Sequence, residues 1–186
     1  MIPRGTRFGV DVGRARVGVS RSDPDGILAT PVKTLRRDQK KGTDLAVLTR
    51  LAREAEAVVV YVGLPLNLHG QQTPSTEDAQ RYARALATTL DDVEVRLVDE
   101  RLTTVSAQRK LHESGRDVKN SRSVIDQAAA VDILQQALDV ERASGRRAGE
   151  HVLPPVSEPP TDSSLSTEQA TSHPGTRSNP PEGDES

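Results

Sequence analysis

The sequence predicts an α/β protein built on a five-stranded mixed sheet with helices on its faces. Three strand-like runs come first, and helical and strand patterns then alternate in the order β-β-β-α-β-α-β-α-α. The apolar run AVVVYVG at 57–63 is typical of a strand that is buried on both faces. Residues 154–186 show none of these patterns, so the predicted sheet and helices belong to the part of the chain before them.

The first three strands are expected over 7–12, 16–22 and 29–35. Their apolar residues alternate with the two-residue period of a strand that has one buried face. The turn sequence SDPDG separates the second strand from the third, because Asp-Gly and Pro favour bends. The three strands most simply form an antiparallel meander, with Asp11 on the polar face of the first strand.

The remaining elements, in chain order, are a helix over 43–56, a strand over 57–63, a helix over 76–90, a strand over 93–98, a short helix over 103–115 and a last helix over roughly 124–143. Ser75 or Thr76 is the predicted N-cap of the second long helix, because a side-chain oxygen there can accept from the first free N–H groups. The last helix is expected to bury an apolar stripe that includes Ala128 and Leu134.

From Pro154 onward the sequence is rich in Pro, Ser, Thr and acidic residues. Such a composition cannot bury enough apolar area to offset the conformational entropy lost on folding. We therefore predict a folded domain over 1–153 and a disordered tail over 154–186.

The tail holds six acidic residues and one arginine, so the predicted domain carries 24 lysines and arginines against 21 acids. A mildly basic domain is compatible with a polyanionic partner but does not require one. The basic runs at 33–41 and 115–122 are candidate phosphate contacts, although each is equally well explained as a solvated charged surface.

The sequence has no cysteine, which excludes disulfides and thiolate metal sites. Its first residues, MIPRGTRFGV, lack the apolar segment of a secretion signal, and no stretch has the length of a membrane span. We expect a cytoplasmic protein that does not bind membranes.

Three carboxylates stand at the ends of apolar elements: Asp11 in the first strand, Glu100 after the last strand and Asp126 in the first turn of the last helix. Each has a local explanation. Asp11 precedes a glycine and suits a turn, Glu100 can pair with Arg101, and Asp126 follows Ser123 at the spacing of a capping box. The alternative is a shared metal site, because Mg²⁺ prefers carboxylate oxygens and two ions about 4 Å apart can catalyse phosphodiester hydrolysis.

Four segments decide between these explanations: DVGRARVGVS, VGLPLNLHG, VDERLTTVSA and VIDQAAAVDILQ. In this order they resemble the signature blocks of the YqgF family, also called RuvX, over residues 7–140. The family comprises pre-16S rRNA nucleases and Holliday junction resolvase-like proteins. The resemblance implies an RNase H-like fold and Mg²⁺- or Mn²⁺-dependent hydrolysis at the 5′ end of pre-16S rRNA. It also implies that Asp11, Glu100 and Asp126 are the catalytic, metal-binding acids.

Four further residues are candidate substrate contacts. Arg14, Arg16 and Arg101 flank the acids, where they would hold backbone phosphates or balance the carboxylates. Asn67 lies in the loop GLPLNLHG, where substrate binding and loop shaping are equally good explanations. Asp99 should point to the opposite face of its strand from Glu100, and its role is open.

Other functions remain as alternatives. The same metal chemistry could resolve four-way DNA junctions, typically as a homodimer that makes two symmetric cuts, and nothing in the residues separates RNA from DNA. A non-catalytic factor that binds nucleic acid or a transcription protein is also possible. The sequence has almost no aromatic residues, which argues against binding of single-stranded nucleic acid by base stacking. A dinucleotide-binding fold is disfavoured because GVDVGRARVG lacks the G-x-G-x-x-G pattern.

Truncation after Leu153 should leave thermal stability nearly unchanged, because the predicted tail buries nothing. Differential scanning calorimetry of the full chain and the truncated chain measures this directly. A decrease of many degrees in the melting temperature would show that the tail packs on the domain.

Overall fold

The computed structural model of the protein describes residues 2–100 and 122–154. In chain order the elements are β1 (Thr6–Val12), β2 (Arg16–Ser22), β3 (Ala29–Arg36), α1 (Thr43–Glu54), β4 (Ala57–Leu64), α2 (Pro74–Thr89), β5 (Glu94–Asp99), α3 (Arg122–Ser144) and β6 (Glu150–His151). The predicted helix at 103–115 and the predicted tail beyond residue 154 lie outside the described residues. The tail and the domain boundary therefore stay predictions.

The strands form one mixed sheet in the order β3-β2-β1-β4-β5-β6. The first three are antiparallel, as expected, and β4 and β5 run parallel to β1. Among the described residues the sheet has six strands where the sequence predicted five, because β6 pairs antiparallel with the edge of β5. β6 has only two residues, which is too short for a recognisable strand period.

Each face of the sheet packs against helices. Alternate residues of β4 divide between the two faces, so that Val60 and Val62 contact the layer that contains α1 and α2. Val59 and Tyr61 contact the layer that contains α3. All four side chains are fully buried, as predicted for a central strand. None of the helices in the described ranges is both long and apolar enough to cross a membrane.

Two details of the helices differ from the predictions. The N-cap of α2 is Thr73 rather than Ser75 or Thr76, and its hydroxyl forms a capping box with Thr76. Pro74 at the first helical position, with its fixed φ, starts the helix earlier than the apolar pattern indicates.

The buried stripe of α3 differs from the predicted one at Ala128 and contains residues that were not predicted. Leu134 is buried as expected, but Ala128 is exposed, and Ala130, Ala137 and Glu141 are buried instead. The helix therefore presents small residues and one acid to the sheet, together with large apolar residues such as Ile133 and Leu138.

Glu141 is the most buried acid of α3, with a side chain only 5% exposed. Its carboxylate accepts from Arg7 Nε at 3.2 Å and from Arg147 Nη1 at 2.7 Å, and it also accepts from the hydroxyl of Tyr61. Burial and then the hydrogen bond to Glu141 raise the pKa of Tyr61, which keeps the hydroxyl a neutral donor. This cluster joins β1, β4 and the end of α3.

Arg37 makes the corresponding connection on the other face. Its guanidinium binds Asp44 of α1 and Asp78 of α2 at 3.1 Å each, and it lies 4.5 Å from the ring centre of Tyr82. Burial raises the pKa of Tyr82. The chain that leaves β3 is thus fixed to both helices of this layer by a buried charge.

Glu141→Gln should lower the free energy of unfolding by about 3–5 kcal/mol, because it removes the buried counter-charge of Arg7 and leaves Arg147 paired only with Glu94, at 3.5 Å. Urea unfolding followed by far-ultraviolet circular dichroism measures the change. Glu54→Gln is the matched control, since Glu54 pairs with Arg50 on the exposed face of α1 and should cost less than about 0.5 kcal/mol. Equal losses in the two variants would contradict a structural role for the buried cluster.

Candidate active site

Asp11 is the penultimate residue of β1 and is half-buried. It lies directly opposite Gly18 of β2. Residues two apart on a strand share a face, so Asp11 is on the same face as Gly9, which contacts α3. The carboxylate therefore belongs to the side of the sheet that the last helix covers.

Helix α3 crosses this face at short range because Gly9 of β1 and Gly18 of β2 lie beneath it without side chains. A Cβ at Gly9 would lie 2.6 Å from Leu134 Cβ and 2.7 Å from the carbonyl oxygen of Ala130. The same carbonyl accepts a hydrogen bond of 2.7 Å from the hydroxyl of Ser20. The glycine and the serine together fix the distance between the helix and the sheet.

Asp126 lies where α3 passes over β2, and its backbone carbonyl occupies the space that a side chain at Gly18 would need. Its side chain forms an ion pair with Arg16, with Nη1 and Oδ2 3.7 Å apart. That distance is too long for a hydrogen bond, and Oδ2 is a buried oxygen without a hydrogen-bond partner among the described residues. Asp126 is thus next to the strand residue that faces Asp11.

Glu100 follows β5 and approaches the same region from the other side. Its Oε1 lies 2.5 Å from the position that a Cβ of Gly63 would take, next to the end of Ile133 of α3. The neighbouring residue Val62 pairs with Val10, so Gly63 is one register step along β4, next to Asp11. The three predicted acids therefore lie at one end of the sheet, on the face covered by α3.

The chemistry of this donor set suits a divalent metal, because Mg²⁺ and Mn²⁺ prefer carboxylate oxygens. The oxygen of Asp126 that lacks a hydrogen bond is a suitable ligand atom. Within residues 2–100 and 122–154, however, no group of three or more acidic or histidine side chains is close enough to hold one ion. The three acids share an end and a face of the sheet without forming a closed ligand cluster.

The other predicted residues divide into three cases. Arg14 is exposed at the turn between β1 and β2, and Arg16 begins β2 beside Asp126. Arg101 lies outside the described residues. Asp99 ends β5 and by strand alternation belongs with Leu97 on the face opposite Val98.

Asn67 shapes its loop. Its Oδ1 accepts from the backbone N–H groups of His69 and Gln71 at 3.0 and 2.8 Å, and its Nδ2 donates to Gln71 at 3.0 Å. These contacts occupy both ends of the amide, which favours the loop-shaping explanation. Substrate contact by Asn67 stays a prediction.

Two features of this end of the sheet were not identified from the sequence. Gly63 was part of a quoted segment, but its position beneath Glu100 depends on the pairing of β4 with its neighbours. Arg36 was only one member of a basic run, yet β3 places it directly opposite Arg16. The signal for both is the strand register, which the local sequence pattern does not contain.

The sequence matches the family model RuvX, described as Holliday junction resolvase, over residues 5–140. A protein of Clavibacter sepedonicus named "Putative pre-16S rRNA nuclease" is 51% identical over 145 residues, which is 78% of this chain and 89% of that protein. A protein of the same name from Mycobacterium ulcerans (strain Agy99) is 55% identical over 148 residues, which is 78% of this chain and 86% of that protein.

Among solved structures, RuvC of Thermus thermophilus in complex with a Holliday junction substrate superposes with a TM-score of 0.53. The two chains are 11% identical, and the match covers 77% of this chain and 98% of RuvC. Another structure of the same enzyme gives a TM-score of 0.50 at 10% identity, covering 79% of this chain and 99% of that chain. At these identities the similarity concerns the fold, and the expected RNase H-like architecture is confirmed with six strands in place of five.

Gly18→Ala should lower the free energy of unfolding by about 1–3 kcal/mol, because the added methyl group meets the carbonyl of Asp126 and α3 must shift away from β2. Urea unfolding measures the loss. Arg21→Ala, at an exposed position of the same strand, is the control and should change stability by less than about 0.5 kcal/mol. Undiminished stability of Gly18→Ala would mean that the helix is not held in close contact at this point.

Proposed function

This chain belongs to the RuvX family, and on that basis we propose that it is an endonuclease that trims the 5′ end of pre-16S rRNA with Mg²⁺ or Mn²⁺ as cofactor. The observation that carries the proposal is the position of Asp11, Glu100 and Asp126 at one end of the face covered by α3. The curated relatives support the RNA substrate, and the RuvC-like fold supports phosphodiester hydrolysis. A precursor of ribosomal RNA as substrate implies that the protein acts in the cytoplasm.

Asp11, Glu100 and Asp126 would hold the metal, and three carboxylates gather most readily around a cation that balances their repulsion. When bound, a divalent metal lowers the pKa of water and stabilises negative charge on the phosphate oxygens. The protein's own part is positional. The strand ends and α3 hold the acids. Ser20, Gly9 and Gly18 set the distance between α3 and the sheet, and Arg16 neutralises part of the charge near Asp126.

The reaction in this proposal is a substitution at phosphorus. The oxygen of a water molecule forms a bond to phosphorus and the water loses a proton. The bond from phosphorus to one of its two ribose oxygens breaks, and that oxygen takes up a proton, so that the charges and atoms balance. The arginines near the acids bind adjacent phosphates, which orients the strand so that one phosphodiester faces the carboxylates.

Cleavage of branched DNA is the second candidate function. The RuvC structure with the highest fold similarity given above holds a Holliday junction, and the family model carries that activity in its description. The same acids serve either substrate, since the scissile group is a phosphodiester in both. A junction resolvase would act as a homodimer, because two cuts are needed at symmetric positions.

Asp11→Asn should retain the fold and abolish metal-dependent cleavage, because the amide cannot replace a charged carboxylate ligand. Cleavage of a 5′-labelled pre-16S leader and of a synthetic four-way junction is measured for both proteins. The proposal expects wild-type cleavage of the leader. Preference for the junction would favour the DNA function, and no cleavage of either would favour a non-catalytic binding factor.

Asp92→Asn is the matched control, since Asp92 is exposed at the opposite end of β5 and should not affect cleavage. Metal binding has an independent readout in thermal stability. MnCl₂ should raise the melting temperature of the wild type and of Asp92→Asn, and it should have little effect on Asp11→Asn. Equal shifts in all three proteins would contradict a metal site at Asp11 even if cleavage were lost.

A further inference from the structure

Arg16 and Arg36 lie directly opposite each other on β2 and β3. Because the strands are antiparallel, the two side chains leave the same face with their Cβ atoms about 4.5–5.5 Å apart. Like charges in this position repel each other and destabilise the sheet. The arrangement therefore concentrates positive charge at a cost that a bound anion would remove.

The two arginines differ in how their charge is balanced. Arg16 has Asp126 within 3.7 Å. Arg36 is exposed, and no acidic side chain in the described part of the chain lies within ion-pair distance of it. Arg14, at the tip of the neighbouring turn, is also exposed and lacks such a partner in the same ranges. Within residues 2–100 and 122–154, the exposed guanidinium groups of Arg36 and Arg14 therefore carry charge that no acidic side chain balances.

Strand register relates this pair to the candidate active site. Asp11 lies opposite Gly18, and Gly18 lies opposite Thr34, so these residues form one row across three strands. Arg16 and Arg36 form the next row on the same face, two residues further along their strands, a step of about 7 Å. This step is comparable to the separation of neighbouring phosphates along a nucleic-acid strand.

We propose that Arg36, together with Arg16, binds the backbone phosphate next to the one that is cleaved, and that Arg14 extends this basic surface around the turn. The inference rests on the proposed function, because it requires a nucleic acid at Asp11. A guanidinium can donate two parallel hydrogen bonds to a phosphate, which fixes the direction of the strand as well as its position. Phosphate contacts carry no base information, so the same residues would serve RNA and branched DNA.

The test compares the full-length wild type, Arg36→Gln and Arg84→Gln in binding the labelled pre-16S leader and the four-way junction, without divalent cation so that no cleavage occurs. Arg84 is exposed on α2, on the opposite side of the sheet, and its substitution removes the same charge. Arg36→Gln should raise the Kd about tenfold. It should also lower the slope of log Kd against log salt by about one. Arg84→Gln should change neither quantity.

A second measurement identifies the contact. Replacing single phosphates near the cleavage position by neutral methylphosphonates should weaken binding of the wild type at one position and leave Arg36→Gln unaffected there. The melting temperature of Arg36→Gln should not decrease, because the substitution removes a repulsion; a decrease together with weaker binding would assign Arg36 a structural role and overturn the inference.

The outcomes separate the two proposals. Wild-type affinity and salt slope in Arg36→Gln would overturn the phosphate contact, even if the leader is cleaved. Binding that depends on Arg36 without any cleavage would overturn the nuclease proposal and retain the contact. If the wild type binds neither nucleic acid, both proposals are wrong.

Discussion

Glu141 lies between Arg7 and Arg147 in the interior of the protein, and the course of the last helix depends on this contact. A buried carboxylate is tolerated only where charges and hydrogen bonds replace water, and here two arginines and the hydroxyl of Tyr61 do so. Arg7 also donates to backbone carbonyls that precede β1 and that lie in the connection between β2 and β3. One buried charge thus joins the start of the chain, the sheet and the end of α3.

The opposite end of α3 carries Asp126, 15 residues from Glu141 along the helix, which is about 22 Å. A helix is stiff over this length, so the contact of Glu141 with its two arginines at one end determines where the other end meets the sheet. Gly9 and Gly18 allow the close approach, and Ser20 bonds to the helix backbone between the two ends. The position of Asp126 beside the row of Asp11 therefore depends on all the contacts between α3 and the sheet.

The charge around the candidate active site comes from a few residues that lie close together. Residues 1–153 as a whole have only a small excess of basic over acidic residues. Arg14, Arg16 and Arg36 nevertheless lie within one turn and one strand pair, beside acids that approach from β1, β5 and α3. A nuclease needs side chains of both charges, since carboxylates must face a phosphodiester that they would otherwise repel. Separate rows of the sheet keep the acids and these arginines close without full mutual neutralisation.

Strand and helix periods are local, so the sequence alone predicts these elements. The bounds of β1 to β5 agree with the prediction to within one residue, and the meander and the buried β4 agree as well. Features that depend on residues distant in the chain become visible only in the folded structure. The two-residue β6 exists because β5 offers a free edge, and the buried stripe of α3 includes Ala130 and Glu141 because glycines and arginines lie beneath it. For the site, sequence motifs named the acids, whereas strand register and the helix crossing decided their common end of the sheet and the pairing of Arg16 with Arg36.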